Sequence, residues 1–175
     1  TCALPISEHP DTLMTINNLG NLLSDMGDYA GAEILNRRAL AGREKALGPE
    51  HPDTLGSVNN LANLLCKSND YAGAEVLYRR ALAGKEKVFG PEHPGTLGSV
   101  NNLANLLSYR GNYAGAEPLY MRAVTGLDKA LGSEHPQTLE SVYNFGEFLS
   151  ERGNYDAAVW MHRRALAGQI GRAHV

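Results

Sequence analysis

Leu-Gly-Pro-Glu-His-Pro-Asp-Thr-Leu, residues 47–55, decides how this chain is read. Its Glu-His-Pro core returns every 42 residues, as Glu8-His9-Pro10, Glu50-His51-Pro52, Glu92-His93-Pro94 and Glu134-His135-Pro136, and a Thr-Leu pair follows each one two residues on. A fixed period of about 20 to 50 residues marks a stacked-repeat architecture, in which each unit buries its apolar face against its neighbours. Such arrays present a surface rather than enclose a catalytic pocket.

Working outward in the second repeat, Leu55, Val58, Leu61, Ala62 and Leu65 fall at helical spacing and form one apolar stripe. Pro52 and Asp53 suit a helix start, because proline loses no hydrogen bond in the first turn and an acid favours the positive end of the dipole. Ser68-Asn69-Asp70 ends that helix as a polar loop. A second stripe, Tyr71, Ala74, Leu77, Tyr78, Ala81 and Leu82, continues to Phe89, where Gly90-Pro91 stops it. Adding the period predicts first helices over 10–26, 52–68, 94–110 and 136–152, and second helices over 29–47, 71–89, 113–131 and 155–168. The expected fold is all-α, a right-handed α-solenoid of four antiparallel helix hairpins, with repeats 8–49, 50–91, 92–133 and 134–168.

Gly20, Ala62, Ala104 and Gly146 recur where the two helices cross, opposite Ala32, Ala74, Ala116 and Ala158, so the hairpins should approach closely. Glycines within helices, Gly31, Gly42, Gly56, Gly73, Gly84, Gly98, Gly115 and Gly126, each cost roughly 0.5–1 kcal/mol relative to alanine and predict a soft array. Pro118 predicts a mild bend. Asn36 and His162 stand where the inner repeats have Tyr78 and Tyr120, and read as polar residues turned toward water at the outer repeats.

The two ends depart from the period. Ile170-Gly-Arg-Ala-His-Val175 can be encoded ATC GGA AGA GCA CAC GT, and the reverse complement of that string spells Thr1-Cys-Ala-Leu-Pro-Ile6. The codons resemble a common sequencing-library adapter. Residues 1–7 and 169–175 are therefore expected to be sequencing or cloning scars, flanking a segment internal to a longer chain. Residues 1–7 have neither the basic start nor the apolar run of a signal peptide.

Composition narrows the function classes. Hydrophobic residues make up 43% and charged residues 20%, too apolar for disorder. The net charge of −3 comes with no basic stripe to follow a phosphate backbone, so nucleic acid is not an expected partner. No apolar run approaches the roughly 20 residues that span a bilayer, so no membrane partner is expected either. Cys66 is the one cysteine outside the flanks, which leaves no disulfide framework and suits a reducing, cytoplasmic compartment.

The side-chain order resembles the tetratricopeptide repeat: Val58, Leu61, Ala62, Leu65, Tyr71, Ala74, Tyr78 and Ala81 in the second repeat, and Val100, Leu103, Ala104, Leu107, Tyr113, Ala116, Tyr120 and Ala123 in the third. The 42-residue period, residues 47–55 and the phrase Ser-Val-Asn-Asn-Leu-Ala at 57–62 resemble the kinesin light chain subtype in particular. That resemblance implies an interaction scaffold of cargo-adaptor type that binds a partner protein or peptide in a concave groove. Association with a kinesin heavy chain complex would need regions outside this chain, because the heptad coiled coil is absent from it. The same subtype also occurs as the sensor arm of nucleotide-binding switch proteins and caspase-like proteases, the alternative reading.

The candidate site is an asparagine ladder: Asn17 and Asn21, Asn59 and Asn63, Asn101 and Asn105. Spacing of four puts each pair on one face of a first helix, and the resemblance implies that this face lines the groove. Asparagine offers a donor and an acceptor together, so the ladder could hold an extended peptide through its backbone. In the fourth repeat Tyr143 and Glu147 replace the pair, with Glu140 and Glu151 nearby, and make that end acidic and aromatic. Asn18, Asn60, Asn102 and Asn144 match a structural position of the family and are left out of the site. Met14, Gly56, Lys67, Tyr109 and Glu140 are the variable positions expected to select side chains.

His9, His51, His93 and His135 come one per repeat, too widely spaced to share a metal with ligand bonds near 2 Å, and read as helix-start residues. The basic pairs Arg37-Arg38, Arg79-Arg80 and Arg163-Arg164 follow acids four or five positions earlier, which favours local ion pairs. No nucleophile with a base, phosphate loop or carboxylate pair is evident, so no catalytic residue, metal or cofactor is assigned.

Overall fold

The computed structural model describes residues 9–173. Eight α-helices fill them: α1 (Pro10–Asp25), α2 (Tyr29–Leu47), α3 (Pro52–Lys67), α4 (Tyr71–Phe89), α5 (Pro94–Tyr109), α6 (Tyr113–Leu131), α7 (Pro136–Glu151) and α8 (Tyr155–Ala173). No strand occurs among the described residues. The first helices end one residue before the sequence-based limit, since Met26, Ser68, Arg110 and Arg152 are their C-caps. Helix α8 runs on to Ala173, past the expected limit at Gly168 and into the C-terminal flank. Residues 1–7, the expected N-terminal scar, lie outside the described residues.

The recurring Glu-His-Pro has a local cause. Each histidine is an N-cap in extended conformation, and its Nδ1 accepts the backbone N–H two residues on, at Asp11, Asp53, Gly95 and Gln137. The proline that follows takes the first helical position. Second helices start on Asp28, Asp70, Asn112 and Asn154, whose Oδ1 accepts the N–H three residues on at 2.9–3.4 Å. Gly31 and Gly73 belong to this cap, because a Cβ there would collide with the capping carboxylate.

The late glycines serve tertiary packing. A Cβ on Gly42, Gly84, Gly126 or Gly168 would collide with the Leu13, Leu55, Leu97 or Leu139 side chain respectively. Those buried leucines are the ones of the Thr-Leu pairs. Contact between the start of each first helix and the end of its second makes the two antiparallel. The expectation of a merely soft array therefore gives way at these positions: alanine's better propensity would be outweighed by a steric clash. Gly56 meets nothing within 4 Å and remains a plain propensity cost. Pro118 lies inside α6 without interrupting it.

The chain divides into two compact units, Thr1–Val88 and Phe89–Val175. In unit 1 the core joins Ala32 and Leu40 of α2 to Val58, Leu61 and Leu64 of α3 and Ala81 of α4. Unit 2 builds its core around rings: Tyr120 of α6 lies 5.6 Å from Phe145 and 5.1 Å from Phe148 of α7, centroid to centroid. Arg80 pairs with Glu44 in unit 1 and Arg164 with Asp128 in unit 2, each tying one second helix to the preceding one. Arg37 with Glu33 and Arg79 with Glu75 follow the local i, i+4 pattern expected of the basic pairs.

Candidate functional site

The eight sequence-predicted residues separate into three environments. Asn17 and Asn101 are 5% and 6% exposed, so they are core residues rather than rungs of an open ladder. Asn101 Oδ1 accepts the Ser141 hydroxyl at 3.1 Å and bridges α5 to α7. Asn17 Oδ1 is buried without a partner among the described residues. Asn59 is half-buried and engaged in the structure. A signal for this inward turn existed in the sequence: four residues before each stands the leucine of the Thr-Leu pair, Leu13, Leu55 or Leu97, on the same helical row.

Asn21 and Asn63 do come together. With Asn60, Leu64, Asp25 and Lys67 they line a recess of about 170 Å³ between α1 and α3. Asn63 Oδ1 accepts the Tyr78 hydroxyl at 2.5 Å, which orients the amide and leaves Nδ2 to donate. Lys67 Nζ reaches Asp25 Oδ1 at 2.8 Å, so the charges of this recess are matched within it.

Unit 2 brings together Asn105, Tyr143 and Glu147, in a recess of about 270 Å³ between α5 and α7 that Tyr109, Asn144 and Glu151 also line. Asn105 Oδ1 accepts the Tyr120 hydroxyl at 2.7 Å, the same arrangement as Asn63 with Tyr78. Burial, with Tyr109 and Glu151 nearby, pushes the Tyr120 phenol well above its ordinary range, so it stays a donor. Glu147 pairs with His162 Nε2 at 3.2 Å, and the Tyr143 ring lies 5.4 Å from that imidazole. Asn60 and Asn144, set aside as structural, line the two recesses and belong with the site.

Of the two polar side chains expected to turn to water at the outer repeats, His162 is half-exposed and Asn36 is not. Asn36 is 0% exposed, and neither its Oδ1 nor its Nδ2 has a partner among the described residues. Gly20 makes room for it, since a Cβ there would collide with Asn36 Oδ1; Gly146 does the same for His162. A third recess, of about 350 Å³, lies in unit 1 beside Leu55 and Gly84 and is flanked by Lys87, paired to Glu50 at 2.6 Å. Burial raises the Cys66 thiol, which makes it a poor nucleophile at neutral pH. No group of three or more acidic, histidine or cysteine side chains fit to hold a metal occurs among the described residues. No described helix is long and apolar enough to cross a membrane.

Repeated helix hairpins with a polar face on their first helices define a helical-repeat interaction protein. The chain belongs to the tetratricopeptide repeat family: one family model matches residues 12–53 and another matches 53–127 and 96–170. Among solved structures it is similar to the nearly identical TPR-like repeats of a Podosopora anserina protein taken for a kinesin light chain, at 27% identity and a TM-score of 0.77, over 97% of this chain and 80% of that one. It is also similar to BtubC (BKLC) of P. vanneervenii, at 26% identity and a TM-score of 0.80, over 93% of this chain and 64% of that one. No curated protein matches the chain. The fold is thus a tetratricopeptide-repeat helical solenoid with kinesin light chain-like neighbours, a class of typically non-enzymatic protein–protein interaction scaffold.

Proposed function

We propose that the first-helix face of each unit holds an extended segment of a partner protein, in a cytoplasmic adaptor role of the kinesin light chain type. The observation that carries this reading is the tyrosine-held amide repeated in both units, Asn63 on Tyr78 and Asn105 on Tyr120, each at the edge of a recess. A tyrosine that occupies Oδ1 commits Nδ2 to donation, and a fixed donor suits a carbonyl of an extended backbone whatever its sequence. Asn21, Asn60 and Asn144 add further amides to the same recesses. The kinesin light chain-like neighbours support the adaptor type. Partnership with a motor heavy chain would run through regions outside this chain.

The variants Asn63→Asp and Asn105→Asp test the reading, because aspartate keeps the acceptor for tyrosine and removes the outward donor. Peptides selected from a displayed random library should bind the double variant at least roughly tenfold more weakly, the loss of two directed hydrogen bonds, while its helical circular dichroism is unchanged. Undiminished binding would overturn the groove.

A further inference from the structure

The two recesses occupy equivalent places in their units, and one of them already contains a cation. In unit 1 the acid Asp25 on α1 faces Lys67 on α3, one repeat period later, and the ammonium sits 2.8 Å from the carboxylate. The same two positions in unit 2 are Tyr109 on α5 and Glu151 on α7. The position of the lysine now carries an acid, and the position of the acid carries a phenol. Glu147 then adds a second carboxylate where unit 1 has the neutral Asn63.

Among the described residues no lysine or arginine lines the unit 2 recess. Glu151 receives the Ser108 hydroxyl at 3.5 Å and forms no ion pair among the described residues, and Glu147 shares one oxygen with His162. Arg152, next in sequence to Glu151, is held 4.4 Å over the Tyr113 ring. Tyr109, 70% exposed, and Tyr143, 48% exposed, stand at the rim with ring faces available to a cation. Buried Tyr120 and Phe148 form the floor.

We infer that this recess receives a lysine or arginine side chain of the partner segment, which supplies the cation that Lys67 supplies in unit 1. The inference rests on the peptide-binding reading above and gives it a specificity: a basic residue is selected at unit 2. Two carboxylates repel acidic segments, and the tyrosine rings discriminate against a small neutral side chain by offering it nothing but contact.

The test selects random short peptides on the full chain, on the Glu147→Gln/Glu151→Gln variant and on the Asn63→Asp variant. Peptides from the unaltered chain should be enriched in lysine or arginine at one position, and the glutamine variant should lose that enrichment. A selected peptide should bind the glutamine variant roughly tenfold more weakly, the scale of a charge-assisted hydrogen bond. Replacing its basic residue by glutamine should cost the same factor on the unaltered chain and nothing further on the variant. Enrichment without basic residues, or affinity indifferent to the two glutamates, would overturn the inference while leaving the groove intact. Coupling to the glutamates together with indifference to Asn63→Asp would sustain the basic-residue site and remove the backbone-holding role of the asparagines.

Discussion

At the eighth residue of α2 unit 1 carries Asn36, and at the eighth residue of α6 unit 2 carries Tyr120. Both are buried, yet their surroundings differ. Tyr120 packs against Phe145 and Phe148 and spends its hydroxyl on Asn105. Asn36 sits in an aliphatic core with both amide atoms unpartnered among the described residues, and Asn21, the residue equivalent to Asn105, lacks the tyrosine that would hold it. A buried polar atom without a partner costs about 1–3 kcal/mol, so the first hairpin should be the weaker one. One repeat position thus links core stability to the readiness of the proposed binding face, because the same side chain plugs the interior and orients the amide outside.

The largest effect should follow from giving unit 2 the residue of unit 1. Tyr120→Asn removes the ring stack and is expected to cost about 3–5 kcal/mol, read from urea unfolding, and a loss no greater than that of an ordinary surface substitution would break the comparison. Overfilling the close helix crossing in unit 1 comes next: Ala62→Leu, at a fully buried site, should cost about 1–3 kcal/mol, and an unchanged melting temperature would contradict it. The reciprocal change, Asn36→Tyr, should stabilise the chain by about 1–2 kcal/mol by replacing two unpartnered atoms with packed ring and an acceptor at Asn21. Hydrogen exchange of α2 amides would show whether the gain is local. Asn101→Ala should cost about 1 kcal/mol through loss of the Ser141 bridge while leaving peptide affinity unmoved, in contrast to Asn105→Asp. Smallest is Cys66, which stands where unit 2 has Ser150. Its pKa is raised by burial, so less thiolate exists at pH 8, and in a Cys2→Ser background alkylation should run slower than for a free thiol.

Helix limits were legible because their causes are local and recur: histidine and proline at one set of starts, aspartate or asparagine at the other, and glycine at positive φ after α2, α4 and α6. The tetratricopeptide pattern was legible for the same reason. Residue roles that depend on a second helix were harder to see. Asn17 and Asn101 share a face with Asn21 and Asn105 by spacing, but the apolar stripe is wide enough to take in the first of each pair. Asn36 has Ala32, Ala39 and Leu40 on its own row, all buried, and that row outweighs its polarity. The long-range pairs Arg80 with Glu44 and Arg164 with Asp128 link residues 36 apart, which no single-helix rule reaches.

The leucine that beds against a late glycine occurs four times, from Leu13 on Gly42 to Leu139 on Gly168, always with the same separation. Each pairing behaves as a latch that only its own turn of the pattern can close. Inserting or deleting residues between a leucine and its glycine would set that leucine against a residue that has a side chain, whereas adding or removing a whole 42-residue repeat leaves every pairing intact. The reading frame of this architecture is written in its glycines.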